Sequence, residues 1–260
     1  MLFPKWVHYC KDSEIKCILR ILEKQQIEKP KILEIGAGDG YMSKLLSKAG
    51  YDVTSTDPSP RMPLEFDVHN MNVNNLEFED SSYDIVISSN VIEHIDDLEK
   101  AFSEMKRVLK NEGVMIHAVP TVYCNLATML IQPIAYFRNI LYLFSGRLKI
   151  KVDKEKSKLI QFLTFSAKVV FNVLNPLRFF ISKGHGVSRN RFRALYIWRR
   201  SYWTKIFRKN NLEVVSIKKA PYLYSMHKVF PFLMDKLRYR VGKRFNSVDI
   251  YLLCVPDKSR

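Results

Sequence analysis

The chain has 260 residues, 47% of them hydrophobic, and carries a formal net charge of +16. Such an apolar content can fill a packed core, which excludes a largely disordered chain. The four cysteines are scattered without paired spacing, which favours free thiols in a reducing compartment over a disulfide framework or a cysteine zinc site. The first residues lack a charged start followed by an apolar run, so we expect no signal peptide and a cytoplasmic location.

The first half of the chain predicts helices that alternate with strands. The predicted elements are a helix over 11–26 capped by Asp12 or Ser13, a strand over Lys31–Ile35, a helix over Tyr41–Lys48, strands over Tyr51–Thr56 and Tyr83–Ser89, a helix over Leu98–Leu109 ended by Asn111–Gly113, and a strand over Val114–Val119. The almost continuous apolar run in Tyr83–Ser89 is typical of a strand buried on both faces of a parallel sheet. Together these elements predict an α/β fold with a doubly wound, mostly parallel sheet.

The regular alternation stops at Pro120 and resumes near residue 201. The late elements are a helix around Ser201–Lys209 and strands over Leu212–Ile217 and Val248–Val255. We therefore divide the chain into an α/β core over 1–120, an insertion over 121–200, and a segment over 201–260 that completes the sheet and holds a second insertion at 221–246.

The positive charge is concentrated in the second half of the chain. Residues 1–120 hold 14 Lys and Arg against 20 Asp and Glu, a balance of −6, whereas residues 121–260 hold 28 against 6, a balance of +22. An excess of this size calls for an anionic partner or surface. The two halves are therefore expected to have different roles.

A glycine-rich turn, Gly36–Gly40, follows the first predicted strand. Glycines let the backbone approach a ligand closely, and the N-terminus of the following helix adds hydrogen-bond donors. The pattern is G-x-G-x-G, with Tyr41 where a dinucleotide fingerprint has its third glycine, and no Gly-Lys-Ser/Thr follows. Asp57, at the end of the second strand, can hold two ribose hydroxyls and suits a ligand without a ribose phosphate.

Two segments resemble a known family. Leu33–Gly40 resembles motif I of the class I S-adenosylmethionine (SAM)-dependent methyltransferases, and Asn74–His94 resembles their later pattern L-P-F-x-D-x-S-F-D followed by L-E-H. The match covers roughly residues 30–120 in the right order and spacing. It implies SAM as the cofactor and a Rossmann-like sheet of seven strands in the order 3-2-1-4-5-7-6, with the last strand antiparallel.

The resemblance also implies which residues hold the cofactor. Four loop residues are expected near its methionine and adenosine parts, with a carboxylate that orders the loop: Gly36, Ala37, Gly38, Gly40 and Glu34. Asp57 is expected to bind the ribose and Pro58 to flank the adenine. Three residues at the end of the fourth strand are expected to face the reacting sulfonium: Ser88, Ser89 and Asn90.

One position departs from the family pattern. The family usually has Asp before the small residue that borders the adenine, and this chain has Asn72–Val73 there. The amide oxygen of Asn72 can still accept a hydrogen bond from the adenine amino group. Asp67 is the rival candidate in a shifted register, and a plain turn-forming role for Asn72 stays open.

Methyl transfer to a hydroxyl requires alignment of the acceptor and removal of its proton, so a histidine near the methyl group is expected. His94 follows Glu93 just after the fourth strand, as in the family; a capping or packing role is the alternative. His185 lies in the turn Lys183–Gly186, similar to turns that precede a Trp-x-x-x-Phe helix in bacterial methyltransferases, here Trp203–Phe207. A plain loop role is its alternative. No spacing of Cys, His and Asp indicates a metal, and none is expected.

The basic insertion has two wide apolar segments and is predicted to be largely helical. Residues 122–144 contain one charge, Arg138, and approach the length that spans a bilayer, but polar residues interrupt them and a span would split the catalytic fold. Residues 159–175 have an apolar arc that covers most of a helix, between basic residues at 147–158 and 178–183. This pattern favours an element that lies on an anionic membrane surface, and a buried lid over the active site is the alternative.

The segment Arg189–Trp203 interleaves cations with aromatic residues. RNA and the phosphates of a lipid-linked sugar are both gripped in this way. The sequence therefore predicts a SAM-dependent methyltransferase that acts on oxygen, on a lipid-linked glycan, a surface-polysaccharide intermediate or a quinone-like lipid, peripheral on the inner face of the membrane. A tRNA or rRNA methyltransferase is the second hypothesis, and a non-catalytic binding protein with the same fold is the third.

Overall fold

The structure is a computed structural model that describes residues 3–130, 191–223 and 235–256. The predictions made for residues 131–190, among them His185 and the apolar segment 159–175, lie outside the described residues. Residues 224–234 of the second insertion also lie outside the described residues. Within the three described ranges, no helix is both long and apolar enough to cross a bilayer.

Seven strands form one sheet in the order β3-β2-β1-β4-β5-β7-β6. Their bounds are β1 Lys31–Ile35, β2 Asp52–Asp57, β3 His69–Asn70, β4 Tyr83–Ser89, β5 Leu109–Pro120, β6 Glu213–Ala220 and β7 Val248–Cys254. All neighbouring pairs are parallel except those of β7, which runs antiparallel to β5 and β6. The predicted α/β fold and strand order are confirmed. With only two residues, β3 gave no signal in the sequence.

Helices cover both faces of this sheet. Their bounds are α1 Phe3–Gln25, α2 Tyr41–Lys48, α3 Leu98–Val108, α4 Arg191–Ile197, α5 Arg200–Lys209 and α6 Asp235–Arg244, and residues 122–130 are also helical. Helices α3 and α5 pack on one face through Phe102, Trp203 and Phe207. Helices α1 and α2 pack on the other face through Ile18 and Leu46.

Successive residues of the central strands point to opposite faces, so each strand supplies both cores. Ile32 and Ile85 belong to the core under α1 and α2, whereas Leu33 and Val86 belong to the core under α3 and α5. All four side chains are fully buried. This two-sided burial explains why the sequence of these strands is apolar without alternation.

Helix α1 starts at Phe3, so the predicted start near Asp12 or Ser13 is wrong. Asp12 lies inside the helix, and its carboxylate accepts a hydrogen bond from the hydroxyl of Tyr41 at 2.9 Å. Asp12, which suggested a helix cap, instead contacts helix α2. A capping signal was therefore overridden by tertiary contacts.

The boundary between α3 and β5 also differs from the prediction. The helix ends at Val108, and β5 includes Leu109 and the stretch Asn111–Gly113 that was expected to end the helix. Leu109 has extended backbone angles and pairs with Tyr83 of β4. The chain passes directly from helix to strand because Leu109 is buried in this register.

The structure describes the segment Arg189–Trp203 from Arg191 onward, and two of its five aromatic rings lie in the core. Its expected grip on RNA or on the phosphates of a lipid-linked sugar stays a prediction. Trp198 and Trp203 are buried, with 6% and 2% of their surface exposed. The guanidinium of Arg200 donates to both carboxylate oxygens of Asp249, at 2.6 and 2.7 Å. Phe192 and Tyr196, the two aromatic residues of α4, are exposed.

The two-sided core allows us to predict how leucine substitutions change the free energy of unfolding. Leu253 in β7 is fully buried, whereas Leu130 is 74% exposed. Truncation of a buried leucine to alanine costs roughly 2–5 kcal/mol of unfolding free energy, because buried methyl groups and their contacts are lost. We expect Leu253→Ala to lower stability by this amount in urea unfolding, and Leu130→Ala to change it by less than about 0.5 kcal/mol. Equal effects would contradict the placement of β7 in the core.

Candidate active site

The candidate site lies at the carboxyl edge of the sheet, where the strand order reverses between β1 and β4. In open α/β sheets, ligands bind in the crevice at such a reversal. Ile35, the last residue of β1, pairs with Thr56 of β2 on one side and with Ser88 of β4 on the other. The loop after β1, the end of β2 and the end of β4 therefore meet here, as the sequence predicted.

The loop after β1 requires glycine at two points. Gly36 has φ +70, and a Cβ atom there would lie 2.4 Å from a methyl group of Val91, which follows β4. Gly40 has φ +78 and is the N-cap residue of α2. A side chain at either position would strain the backbone and clash with a neighbour, which is Val91 at Gly36 and Phe66 at Gly40. The loop thus brings bare backbone to the edge of the sheet.

Asp57 holds this loop against the end of β2. Its carboxylate accepts hydrogen bonds from the backbone N–H of Gly38 at 2.9 Å and of Ser59 at 2.8 Å. The N–H groups of Gly36 and Ala37 donate to the carbonyl of Thr56. A carboxylate has about four lone-pair positions, so Asp57 can accept two further hydrogen bonds. A glycine cradle beside a half-exposed carboxylate fits a ribonucleoside cofactor such as SAM.

Glu34 lies in β1, directly below the loop, and is buried. It accepts a hydrogen bond from the hydroxyl of Ser43 in α2, and it thereby ties β1 to the helix that the loop leads into. Burial raises the pKa of its carboxyl group. This contact supports the expected role of Glu34 in ordering the loop.

The predicted adenine contacts follow β2 and β3. Pro58 is exposed, and Val73 is buried. The amide oxygen of Asn72 accepts a hydrogen bond from the backbone N–H of Asn74 at 2.9 Å, which is a turn-forming contact. The oxygen keeps a second lone pair, so its predicted contact with adenine stays a prediction. The rival Asp67 is exposed, and its backbone carbonyl accepts a hydrogen bond from the hydroxyl of Ser55.

At the end of β4, the three polar residues are in two environments. The hydroxyl of Ser88 is buried and lies 2.8 Å from Nδ1 of His117. Burial lowers the pKa of His117 to about 3, so this imidazole is neutral at ordinary pH. Ser88 thus uses its side chain inside the core. Ser89 and Asn90 instead contact helix α1.

Helix α1 supplies two charged residues that the sequence prediction missed. The carboxylate of Glu14, which is fully buried, accepts hydrogen bonds from the hydroxyl of Ser89 and from the amide of Asn90. The ammonium of Lys11 donates to the carbonyl and the hydroxyl of Ser89, at 3.1 and 2.5 Å, and lies 3.4 Å from Glu14. These two residues fix the positions of Ser89 and Asn90 at the edge of the crevice.

The same helix also contacts the glycine loop. Nε2 of His8 lies 2.9 Å from the carboxylate of Asp39, and its ring stacks on Tyr41 with the centroids 3.8 Å apart. Nothing in the sequence around His8 indicates this role, because its partners lie 31 and 33 positions away. A spacing of three residues between His8, Lys11 and Glu14, beside an apolar helix face, was the signal that could have found them.

Glu93 and His94 lie in a short 3₁₀ turn, Ile92–His94, just after β4. The carboxyl group of Glu93 is 1% exposed and receives no hydrogen bond from another described residue. Burial, with a smaller contribution from Glu14, raises its pKa to about 8. Nε2 of His94 lies 3.8 Å from Glu93, and burial lowers the pKa of His94, so this half-exposed imidazole is neutral near pH 7 and can accept a proton.

Two further predictions concern His185 and metal binding. The other histidine candidate, His185, lies outside the described residues. Among the residues that are described, no three His, Cys, Asp or Glu side chains are grouped so that they could hold a metal ion.

A family model described as a methyltransferase domain matches residues 8–217 of this chain. The match begins inside α1 and extends into β6. It therefore covers all of the candidate site that the structure describes, including the contacts of His8, Lys11 and Glu14.

Proteins of known name match shorter stretches. The ubiquinone biosynthesis O-methyltransferase of Pelagibacter ubique is 23% identical over 126 residues, which are 44% of this chain and 52% of that protein. The ribosomal protein L11 methyltransferase of Thermosipho melanesiensis is 30% identical over 111 residues, 39% of this chain and 42% of that protein. The matches thus span about half the length of these relatives or less.

Solved structures match over nearly the whole chain. A SAM-dependent methyltransferase of Thermotoga maritima, described as a possible histamine N-methyltransferase, has a TM-score of 0.53 at 17% identity and covers 98% of this chain and 95% of its own. The 1,6-didemethyltoxoflavin N1-methyltransferase of Burkholderia thailandensis, solved with S-adenosylhomocysteine, has a TM-score of 0.52 at 10% identity, covering 94% and 78%. At these identities the likeness is one of fold.

The contacts of Asp57 predict the effect of its substitution on cofactor binding. Asp57→Ala removes the acceptor expected for the ribose hydroxyls and releases the N–H of Gly38. Hydrogen bonds to a charged group contribute roughly 1.5–3 kcal/mol each, so we expect the Kd for SAM to rise at least about tenfold in calorimetry. Asp52→Ala, at the exposed opposite end of β2, is the control. An unchanged Kd for Asp57→Ala would remove this residue from the cofactor site.

The contacts of Glu14 predict a dependence on the charge of the cofactor. Glu14→Gln leaves the Lys11 ammonium without its carboxylate partner next to Ser89. Because SAM carries a sulfonium charge that S-adenosylhomocysteine lacks, we expect the Kd for SAM to rise at least about fivefold more than the Kd for S-adenosylhomocysteine. Glu23→Gln, an exposed position of the same helix, should change neither. Equal weakening of both ligands would mean that Glu14 only supports the fold.

Proposed function

Because the chain belongs to the methyltransferase domain family, whose model matches residues 8–217, we propose that it is a SAM-dependent methyltransferase that acts on an oxygen atom of a membrane-associated acceptor. The observation that supports SAM as the cofactor is the glycine cradle Gly36–Gly40. Asp57 holds this loop at the point where the strand order reverses. Loop and carboxylate together suit a cofactor with a free ribose and no phosphate.

When bound, the cofactor supplies a methyl group on a sulfonium, which leaves as a neutral thioether. The protein has to align the acceptor hydroxyl, exclude water and take up the hydroxyl proton while the oxygen–carbon bond forms and the carbon–sulfur bond breaks. The neutral imidazole of His94, beside the end of β4, is suited to receive that proton. His185 is the second candidate for this role.

Three features support a membrane-associated acceptor, such as a lipid-linked glycan, a surface-polysaccharide intermediate or a quinone-like lipid. The charge balance of +22 over residues 121–260 suits anionic headgroups or phosphates. The proposed insertion 121–200 follows β5, and the proposed insertion 221–246 follows β6. Both strands end at the carboxyl edge of the sheet. Two relatives are named as ubiquinone biosynthesis O-methyltransferases.

An RNA acceptor has less support. Arg189–Trp203 suits RNA and the phosphates of a lipid-linked sugar alike, but the burial of Trp198 and Trp203 leaves fewer rings for base stacking, which only RNA requires. A non-catalytic binding protein would have no need of the glycine cradle together with Asp57.

The acceptor class is tested with tritiated SAM and separate lipid, RNA and small-molecule pools of a cell extract. We expect incorporation of label into the lipid pool, with none after Asp57→Ala. Label in tRNA or rRNA alone would favour the RNA hypothesis. Absence of label in every pool, with no SAM binding in calorimetry, would favour the non-catalytic hypothesis.

The proposed base predicts a pH profile. His94→Ala should lower the rate of lipid methylation about 100-fold or more, with the Kd for SAM within twofold of wild type. Since the base must be neutral, and burial lowers the pKa of His94, the wild-type rate should fall only at pH below the ordinary histidine value of 6.5. His69→Ala, an exposed histidine of β3, is the control.

If His94→Ala stays within twofold of wild type and His185→Ala loses activity, His185 is the base. If both variants stay within twofold, neither histidine takes up the proton.

A further inference from the structure

The last helix before β7 carries an exposed surface of cations and apolar rings. Helix α6 and the two residues after it contain five Lys and Arg against one acid, Asp235. Four of the cations are exposed: Lys236, Arg240, Lys243 and Arg244. Among them stand Leu237, 40% exposed, and Tyr239, 47% exposed. This face combines charged residues with large apolar side chains, whereas the exposed face of an ordinary helix is mostly polar.

Two of the four exposed cations lie over aromatic rings. The ammonium of Lys243 is 5.0 Å from the ring centre of Tyr239, and the guanidinium of Arg244 is 5.7 Å from that of Phe245. The ring of Phe245, 43% exposed, packs edge-on against Tyr123 at 5.3 Å. The helical residues 122–130 extend the surface with Leu126 and Leu130, which are 41% and 74% exposed. We call this area, made of Tyr123, Leu126, Tyr239, Lys243, Arg244 and Phe245, the rim surface.

The rim surface borders the same edge of the sheet as the candidate active site. Pro120 at the carboxyl end of β5 pairs with Val248 at the start of β7. Beyond this pair, Thr121 donates to the backbone carbonyls of Asn246 and Ser247, which joins the two parts of the surface. Because β1, β4 and β5 are parallel, their carboxyl ends and the rim surface lie at one edge.

The side chains of the rim surface match an anionic bilayer better than a nucleic acid. Cations bind phosphate in both cases, but exposed leucines have no use in base stacking, whereas they can enter the boundary between headgroups and acyl chains. Long cationic side chains that lie along aromatic rings can keep the apolar parts at the boundary and the charge at the headgroups. Each Lys or Arg near an anionic surface adds to the attraction.

We propose that the rim surface docks on an anionic phospholipid bilayer and so turns the opening of the active site toward a membrane-borne acceptor. The inference rests on the proposed function for the acceptor, but the docking itself does not require methyl transfer. It assigns the membrane contact to α6 and residues 122–130, which are remote in sequence and adjacent in the fold.

The test is flotation of the full chain with vesicles of phosphatidylglycerol and phosphatidylcholine in equal parts, at low salt, against vesicles of phosphatidylcholine alone. We expect wild type to float with the anionic vesicles only. The double variant K243E/R244E should bind them at least about tenfold more weakly. The control K24E/K48E makes the same change in net charge at exposed positions of α1 and α2, and it should float like wild type. Thermal unfolding checks that all three proteins are folded.

Three outcomes would overturn the proposal. Wild type could fail to float with anionic vesicles, or the control could lose as much binding as K243E/R244E, which would leave only a net-charge effect. In the third, K243E/R244E keeps its flotation and loses binding to bulk tRNA, which would make the rim surface an RNA contact.

The methylation assay separates this inference from the proposed function. Lipid methylation by a protein that does not float would contradict the rim surface and leave the function standing. Flotation that depends on Lys243 and Arg244, without label in any lipid, would contradict the acceptor and leave the surface standing.

Discussion

The chain has to leave β1, turn sharply and enter α2 at the one place where the sheet reverses its strand order. This turn is possible because Gly36 and Gly40 adopt positive φ angles, and it is held because the carboxylate of Asp57 and the carbonyl of Thr56 accept the N–H groups of the loop. The same geometry places the backbone of the glycine loop next to a carboxylate. The cofactor site is in this sense a consequence of the turn.

Helix α1 contacts both loops at this edge of the sheet. Its residues reach the glycine loop through His8 and the end of β4 through Lys11 and Glu14, while its apolar face fills the core with Ile15 and Ile18. A single helix therefore connects the two loops between which the cofactor is expected to lie. Buried charge in such a place costs desolvation energy, and its retention is explained by the hydrogen bonds that it makes to Ser89 and Asn90.

The fold and the cofactor loop could be predicted from the sequence because both depend on local patterns. Buried strands give apolar runs, and positive φ angles require glycine. What could not be predicted depends on long-range pairing: the two-residue strand β3, the start of α1 at Phe3, and the contacts of Glu14 across 75 positions. Trp198 and Trp203 looked like stacking residues beside arginines, since composition alone does not distinguish an exposed ring from a buried one.

The charge split of the sequence has a structural counterpart at the rim of the same edge. The acidic half builds the cofactor crevice, and cations of the basic half border it on α6. The central claim, oxygen methylation of a membrane-borne acceptor, is tested most directly by ¹³C NMR of lipids extracted after incubation with SAM labelled in its methyl group. The account predicts a new resonance at the shift of an oxygen-bound methyl, absent with Asp57→Ala. A labelled methyl bound to nitrogen or carbon, or found only in RNA, would contradict it.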